Sequence, residues 1–415
     1  MGESLYLGID FGTSGARAIA INTHKQIQAA THIRFEQSPP DLANYWRTIL
    51  FQLICQIPLD IRQNIQAIAI DGTSSTVLLC DRQGHLLDTP ILYHDDRAAA
   101  VLQRVKAIAP SHHPVISATS SFAKLLWWAD SSLSSTSAYF LHQADWLSFG
   151  LHGRLGITDY HNALKLGYDV GALRYPDWLQ GLPFQLPEVV APGTAIAPIL
   201  PYLSIELGLP ADCMIRAGTT DSIAAFLAGD VQAPGEAVTS LGSTLVLKLL
   251  SRTRVDDGQY GIYSHRLGDL WLVGGASNTG GAVLRHFFDD AELRRLSPLI
   301  RAEAESPLDY YPLLKPGERF PINDPNLLPR LKPRPDLQVD FLHGLLESMA
   351  RIEARGYGLL QELGATPLTQ VYTAGGGAKN EVWQALRSRH LQVPVARSPQ
   401  TEAAYGAALL ALSPS

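Results

Sequence analysis

The sequence predicts an α/β protein built from two related domains, on three observations. The chain has 415 residues, too long for one ordinary core and suited to two. Residues 5–21 read as a strand, a Gly/Thr/Ser turn and a returning strand. Residues 236–250 repeat that pattern around Gly242, Ser243 and Thr244. Such a unit opening each half of a chain suggests two related domains that face one ligand.

Composition narrows the class. Hydrophobic residues make up 46% and charged residues 17%, the balance of a globular chain without a disordered tail. Lys and Arg number 33 against 39 Asp and Glu, a net charge of −6 that argues against a broad nucleic-acid-binding face. No apolar run reaches 18 residues, and no basic segment precedes an apolar one near the start. Neither a membrane span nor a secretory signal is expected. Cys55, Cys80 and Cys213 are scattered and form no CxxC, which predicts buried thiols in a reducing cytoplasm rather than disulfides or a zinc site.

Taken in order, the first hairpin puts Asp10 before the turn Gly12-Thr13-Ser14. Backbone N–H groups and hydroxyls beside a carboxylate can hold a phosphate and its metal. Residues 41–57 carry helical periodicity. Residues 65–82 read as a second strand hairpin: 67–72 form a buried strand, and 76–80 continue the same sheet. Helical stretches with Trp127, Trp128 and Trp146 follow, broken by a Ser-rich exposed loop near 130–137. Residues 171–215 are rich in Pro and Gly and predict loops and short elements. A strand then ends at Ala217-Gly218, and a helix follows Asp221. A linker around Pro234 divides the chain into domains 1–229 and 230–415.

The second domain opens with its own hairpin. Seven prolines between Pro312 and Pro335 forbid a regular helix or central strand, so an ordered loop is expected there. Residues 337–363 predict a long amphipathic helix. Residues 371–380 pass from a strand through Gly375, Gly376 and Gly377 into a helix. Consecutive glycines let a ligand approach the backbone and the helix N-terminus.

Together these strings resemble the FGGY carbohydrate kinases, a branch of the actin-like ATPases. The resemblance rests on Asp10-Phe11-Gly12-Thr13-Ser14, Pro187-Glu188-Val189-Val190 with Gly193, and Ala217-Gly218-Thr219-Thr220-Asp221-Ser222. It continues through residues 274–281 and 317–321, then Gly375-Gly376-Gly377-Ala378-Lys379-Asn380 and residues 402–408. Within the family the chain is similar to the compact D-ribulose/D-xylulose kinase-like proteins of cyanobacteria and plastids. Asp10-Phe11-Gly12 also spells the protein-kinase metal triplet, but no Gly-rich loop precedes it and no His-Arg-Asp loop follows. No GxxxxGK[ST] loop exists, so phosphate handling falls to the hairpin turns.

The resemblance implies two actin-like (ribonuclease H-like) ATPase domains with a cleft between them. It implies ATP and Mg²⁺ as cofactors and a small sugar as substrate, with oligomeric state open. Asp221 takes the role of general base, although an Asp at that place is also a helix N-cap. Asp10 acts at the metal and the transferred phosphoryl. Gly12, Thr13, Ser14, Gly242, Ser243 and Thr244 clamp phosphates. Gly280, Gly281, Gly375, Gly376, Gly377 and Asn380 line the nucleotide. Sugar contacts fall to Asp10, Ser74, Asp221, Ser222 and either Asp95 or Asp96, each of the last two also readable as a surface turn. D-Ribulose is expected ahead of D-xylulose. The rivals are an actin-like nucleotide-gated scaffold and a sugar-binding pseudokinase.

Overall fold

Leu5, Leu7, Ile9 and Phe11 alternate along the first strand and are all buried, so that strand must lie inside a sheet. The computed structural model describes residues 2–36, 39, 41–135 and 138–413. It divides into two units, one reaching from the start of the chain to Ala228 and including the residues from Glu402 onward, the other Gly229–Thr401.

The first unit holds β1 (Leu5–Phe11), β2 (Gly15–Asn22), β3 (Ile27–Arg34), β4 (Ile65–Gly72) and β5 (Val77–Cys80). It continues with β6 (Tyr139–His142), β7 (Ile157–Asp159), β8 (Glu188–Val190), β9 (Ala195–Pro198) and β10 (Met214–Thr220). Its main sheet has the order β3-β2-β1-β4-β10-β9. β1, β2 and β3 pair antiparallel in succession. β1 and β4 pair in parallel, as do β4 and β10. The helix Leu42–Gln56 covers this sheet with Trp46, Ile49, Leu50 and Leu53, and Asp41 caps its start by accepting from Asn44 N.

The second unit repeats the plan with β11 (Glu236–Leu241), β12 (Leu245–Ser251), β13 (His265–Leu267), β14 (Leu270–Ser277), β15 (Gln370–Ala374) and β16 (Val395–Arg397). Its order is β13-β14-β12-β11-β15-β16. β11 is antiparallel to β12, and β12 to β14. β11 is parallel to β15, and β15 to β16. The duplication expected from the two hairpins is therefore a shared strand topology. The helix Gln338–Glu362 backs this sheet through Leu342, Leu345, Leu346 and Met349. The proline-rich stretch has no helix or strand and is ordered by paired backbone bonds, Tyr311 with Arg330 and Glu318 with Asp324.

Four expectations need correction. Cys80 and Cys213 are buried as expected, but Cys55 is exposed. β5 does not continue the β4 sheet: it pairs with β6 in a separate two-stranded ladder, because Gly72–Thr76 turns the chain away. The Ser-rich segment forms a 3₁₀ turn over Ser132–Ser135, while Thr136 and Ser137 lie outside the described residues. The last helix, Ala403–Leu412, packs with the first unit and not with the second. Its small residues allow this. A Cβ on Gly8 would lie 2.0 Å from Ala404 O, and one on Gly406 would lie 1.8 Å from Ala224 O. Among the described residues no helix is long and apolar enough to cross a membrane.

Candidate active site

Parallel pairing brings the C-terminal ends of β1, β4 and β10 to one edge, where open α/β sheets bind ligands. Asp10 and Asp71 are register partners, and Asp71 pairs in turn with Thr219. Asp221 follows as the first residue of the helix Asp221–Ala228, with its Oδ1 accepting from Ser222 N at 2.6 Å. Three carboxylates thus end at one place. Asp71 is completely buried, and neither of its oxygens meets a donor N–H or hydroxyl among the described residues. The remaining hydrogen bond runs between the two carboxyls and needs a proton. Burial, then the charge of Asp10, push Asp71 well above the ordinary carboxylate range, so Asp71 keeps the proton and donates to Asp10.

Asp10 is pushed up to about 6, chiefly by burial. The bond from Asp71 and the charge of Arg17 oppose that rise, while Asp221 and Glu402 add to it. Arg17 Nη1 stands 3.1 Å from Glu402 Oε2 and 4.0 Å from Asp10 Oδ2. The Asp10 carboxylate lies under the turn, 3.8 Å from where a Cβ on Gly12 would sit. Thr13 and Ser14 are exposed at the tip, which Gly12 N closes by donating to Gly15 O.

The expected sugar contacts are placed unequally. Ser74 is half-buried in the turn just beyond β4. Asp95 is tied to Arg97, whose Nε and Nη2 reach its carboxylate at 2.9 and 2.6 Å. That side-chain bond to Arg97 holds Asp95 below the usual carboxylate range. Asp96 is exposed and precedes a 3₁₀ turn without capping it. Ser222 is exposed beside Asp221.

In the second unit three backbone bonds stitch the Gly280 turn to the hairpin around Gly242: Leu245 N to Thr279 O, Gly281 N to Gly242 O, and Ala282 N to Ser243 O. Ser243 is exposed, and its hydroxyl accepts from Arg285 Nη2 at 2.9 Å. Gly280 has φ +142°, and a Cβ there would sit 2.8 Å from Thr244 Cα. The triple glycine divides in the same way. A Cβ on Gly375 would meet Leu241 O at 2.7 Å, and one on Gly377 would meet Trp383 at 2.6 Å. Gly376 alone faces open space, with nothing within 4 Å of an added Cβ. Asn380 caps the helix Glu381–Leu391, its Oδ1 accepting from Trp383 N and its Nδ2 donating to Ser297 Oγ at 2.9 Å. Both ends of its amide are thus committed, and its backbone is engaged too, N donating to Gly377 O at 3.1 Å and O accepting from Gln384 N at 3.0 Å.

Sequence reasoning gave no role to Asp71, Arg17, Glu402 or Arg285, although Asp71 and Glu402 stood in the strings it singled out. The signal for Asp71 was an apolar strand ending in Asp before Gly, the same local pattern as Asp10. Two other clusters are braces. Ser121, His142 and Asp145 form a hydrogen-bonded chain, but all three are buried, and Asp145 completes a capping box with His142. Glu305, Glu347 and His390 bring ligating atoms within 4.8 Å of one another, yet Glu347 is already neutralised by Arg389, which donates to both of its oxygens at 2.6 Å.

Comparison with known proteins identifies the family. The model of the FGGY family of carbohydrate kinases matches residues 5–228 with its N-terminal domain and residues 237–413 with its C-terminal domain. The xylulose kinase of Bacillus subtilis is 24% identical, covering 98% of this chain and 87% of the relative. The gluconokinase of the same organism is 22% identical over 93% of this chain and 82% of its own length. A crystal structure of a xyloylose kinase from Brucella ovis superposes with a TM-score of 0.84 at 25% identity, covering 98% of this chain and 90% of that one.

The buried carboxylates yield a prediction with a defined sign. The folded-state value of Asp10, about 6, lies above its unfolded value of 3.8, so its stability contribution is full below pH 3.8 and is lost as pH rises through 6. Asn does not titrate. Asp10→Asn should therefore gain on the order of 2–3 kcal/mol over the wild type as pH rises from about 4 to 7. Denaturant unfolding of both proteins across that range measures the difference, and a flat difference would refute the assignment.

Proposed function

The chain belongs to the FGGY family of carbohydrate kinases and is an ATP-dependent sugar kinase; on that premise we propose that its substrate is a pentulose, D-ribulose ahead of D-xylulose. The observation that carries the proposed chemistry is the meeting of Asp10, Asp71 and Asp221 at the ends of neighbouring parallel strands. Asp221, on the first turn of its helix and half-exposed, is the general base. It takes the proton of the sugar's terminal 5-hydroxyl, whose oxygen attacks the γ-phosphorus of ATP in line while the bond to ADP breaks. Asp71, holding its proton, keeps Asp10 oriented. The Gly12-Thr13-Ser14 turn of the first unit and the Gly242-Ser243-Thr244 turn of the second are each candidate phosphate contacts, with Arg17 near Asp10 in the first and Arg285 on Ser243 in the second.

Mg²⁺ fits Asp10. A carboxylate made costly by burial and by neighbouring acids is relieved by a cation, and Mg²⁺ keeps several waters while using one or two carboxylates. When bound it neutralises phosphate charge. Gly376 lies against the adenosine, because it is the glycine of the triplet that its own chain leaves uncovered.

Two features support a neutral pentulose. Relatives of this chain include xylulose kinases. The other reading, gluconate, brings a carboxylate that needs a cation, and in the Ser74–Asp95 region Arg97 is paired with Asp95 while Lys124 is fully buried. D-Ribulose and D-xylulose differ at one hydroxyl-bearing carbon. A site that hydrogen-bonds that hydroxyl discriminates strongly, since the wrong epimer leaves buried polar groups without partners.

Three measurements test this. Asp221→Asn should lower turnover by about 10²–10⁴-fold with sugar binding only modestly weakened; near-normal turnover removes Asp221 from the role of base. Gly376→Val should keep the wild-type melting temperature but weaken ATP binding, and an unchanged ATP affinity by calorimetry places the nucleotide elsewhere. Sugar-stimulated ADP release over D-ribulose, D-xylulose, gluconate, glycerol and hexoses should give D-ribulose the highest kcat/KM. A preference for D-xylulose reverses the choice of epimer, a preference for gluconate replaces the pentulose, and no stimulation by any sugar favours a pseudokinase.

A further inference from the structure

Lys124 lies on the helix Ser121–Ala129 with its side chain completely buried. Its Nζ donates to Ser75 O at 2.7 Å and to Leu92 O at 2.6 Å, two backbone carbonyls from separate segments. Neither acceptor carries a charge. Burial pushes the ammonium down to about 7; Asp95 opposes that, while Lys165 and Arg97 add to it. A buried lysine without a carboxylate bonded to it is costly, and a chain needing only a space-filler would place Met or Leu there.

The two acceptors show what the cost secures. Ser75 adopts φ +64°, an uncommon conformation for a residue with a side chain, directly after Ser74. Leu92 O also accepts from Asp95 N at 3.0 Å, so it anchors the loop that presents Asp95 and Arg97. A second tie joins the same segments: Tyr93 N donates to Thr76 Oγ1 at 3.0 Å, and Thr76 in turn bonds Thr73 Oγ1 at 2.5 Å. Gln143 Oε1 holds Thr73 from the other side, accepting from its N and its Oγ1 at 3.1 Å each.

We propose that Lys124 is a positioning residue for sugar recognition: its ammonium ties the turn carrying Ser74 to the loop carrying Asp95, so that the two present one fixed set of hydroxyl partners. The inference rests on the reading that the sugar binds at these segments of the first unit. It makes Lys124 a determinant of sugar affinity and epimer selectivity that acts through its neighbours, without touching ATP. Displacing a binding group by about 1 Å costs up to about a hundredfold, so loosening this tie acts on the sugar more than on the nucleotide.

The test compares wild type with Lys124→Met, which fills the same space without the ammonium. The sugar is the one that the wild type turns over fastest. The expected result is a rise of about tenfold to a hundredfold in the sugar KM, a ratio of kcat/KM for D-ribulose and D-xylulose drawn toward one, and an unchanged ATP KM. A brace for folding alone would lower the melting temperature and leave the sugar KM and the epimer ratio as they are, which overturns the proposal. Should Lys124→Met fail to fold, Thr76→Val cuts the second tie between the same segments and should show the same sugar-specific effect. An unchanged sugar KM in that variant also counts against the proposal. The underlying reading fails separately, when the wild type itself shows no sugar-stimulated ADP release.

Discussion

The meeting of Asp10 with fully buried Asp71 is the constraint on which the first unit's strand-end edge rests. Parallel pairing of β1, β4 and β10 leaves no choice about proximity, because whatever residues end those strands must meet. Here they are acids. Two ionised carboxylates side by side, one of them fully buried, would repel strongly in a medium that screens poorly. Protonating Asp71 removes one charge and converts repulsion into a hydrogen bond. Asp10 can then stay anionic above pH 6 in a place that otherwise resists charge. The arrangement is costly to the fold, as expected where perturbed acids gather at a functional edge.

The second unit uses the same strand plan with another filling. Its ligand edge carries glycines and hydroxyls in place of acids, and its rigidity comes from below. Arg387 grips Glu353 with two bonds, at 2.6 and 2.8 Å, and Thr373 with a third at 2.6 Å, all out of water. Thr239 donates to the same Glu353. Thr239 and Thr373 are register partners on β11 and β15, the strands that lead into the Gly242-Ser243-Thr244 turn and the triple glycine. A buried ion pair adds little net stability against an apolar core, but its fixed geometry holds both strands in one register. Glu318 acts likewise on the third loop, accepting from Ser277 Oγ at 2.5 Å and Asn278 N at 2.7 Å just before Gly280.

Much of the fold was legible because it is written locally. Both hairpins, the helix after Asp41, the long helix ending at Glu362 and the irregular proline-rich stretch follow from periodicity, caps and backbone restriction, which depend only on near neighbours. The errors came where pairing is a distant matter. The run 76–80 has the composition of a sheet strand, and nothing in it says whether β4 or β6 will be its neighbour. The last helix reads as the end of the second half, yet Gly8 lets it dock on β1 and Gly406 lets it approach the helix Asp221–Ala228.

The candidate site divides along the same line. By itself the sequence determined where the two Gly/Ser/Thr turns fall, where Asp10 and Asp221 sit relative to strand ends, and that three glycines interrupt a strand-to-helix passage, since residue type and order suffice for each. Only the tertiary structure decided that Asp71 joins Asp10, that Asp95 pairs with Arg97, and that Gly376 alone of its triplet faces open space. Those outcomes depend on register and close approach between segments far apart in the chain. A carboxylate's charge, a hydroxyl's partner and a glycine's purpose are set by what lies against them.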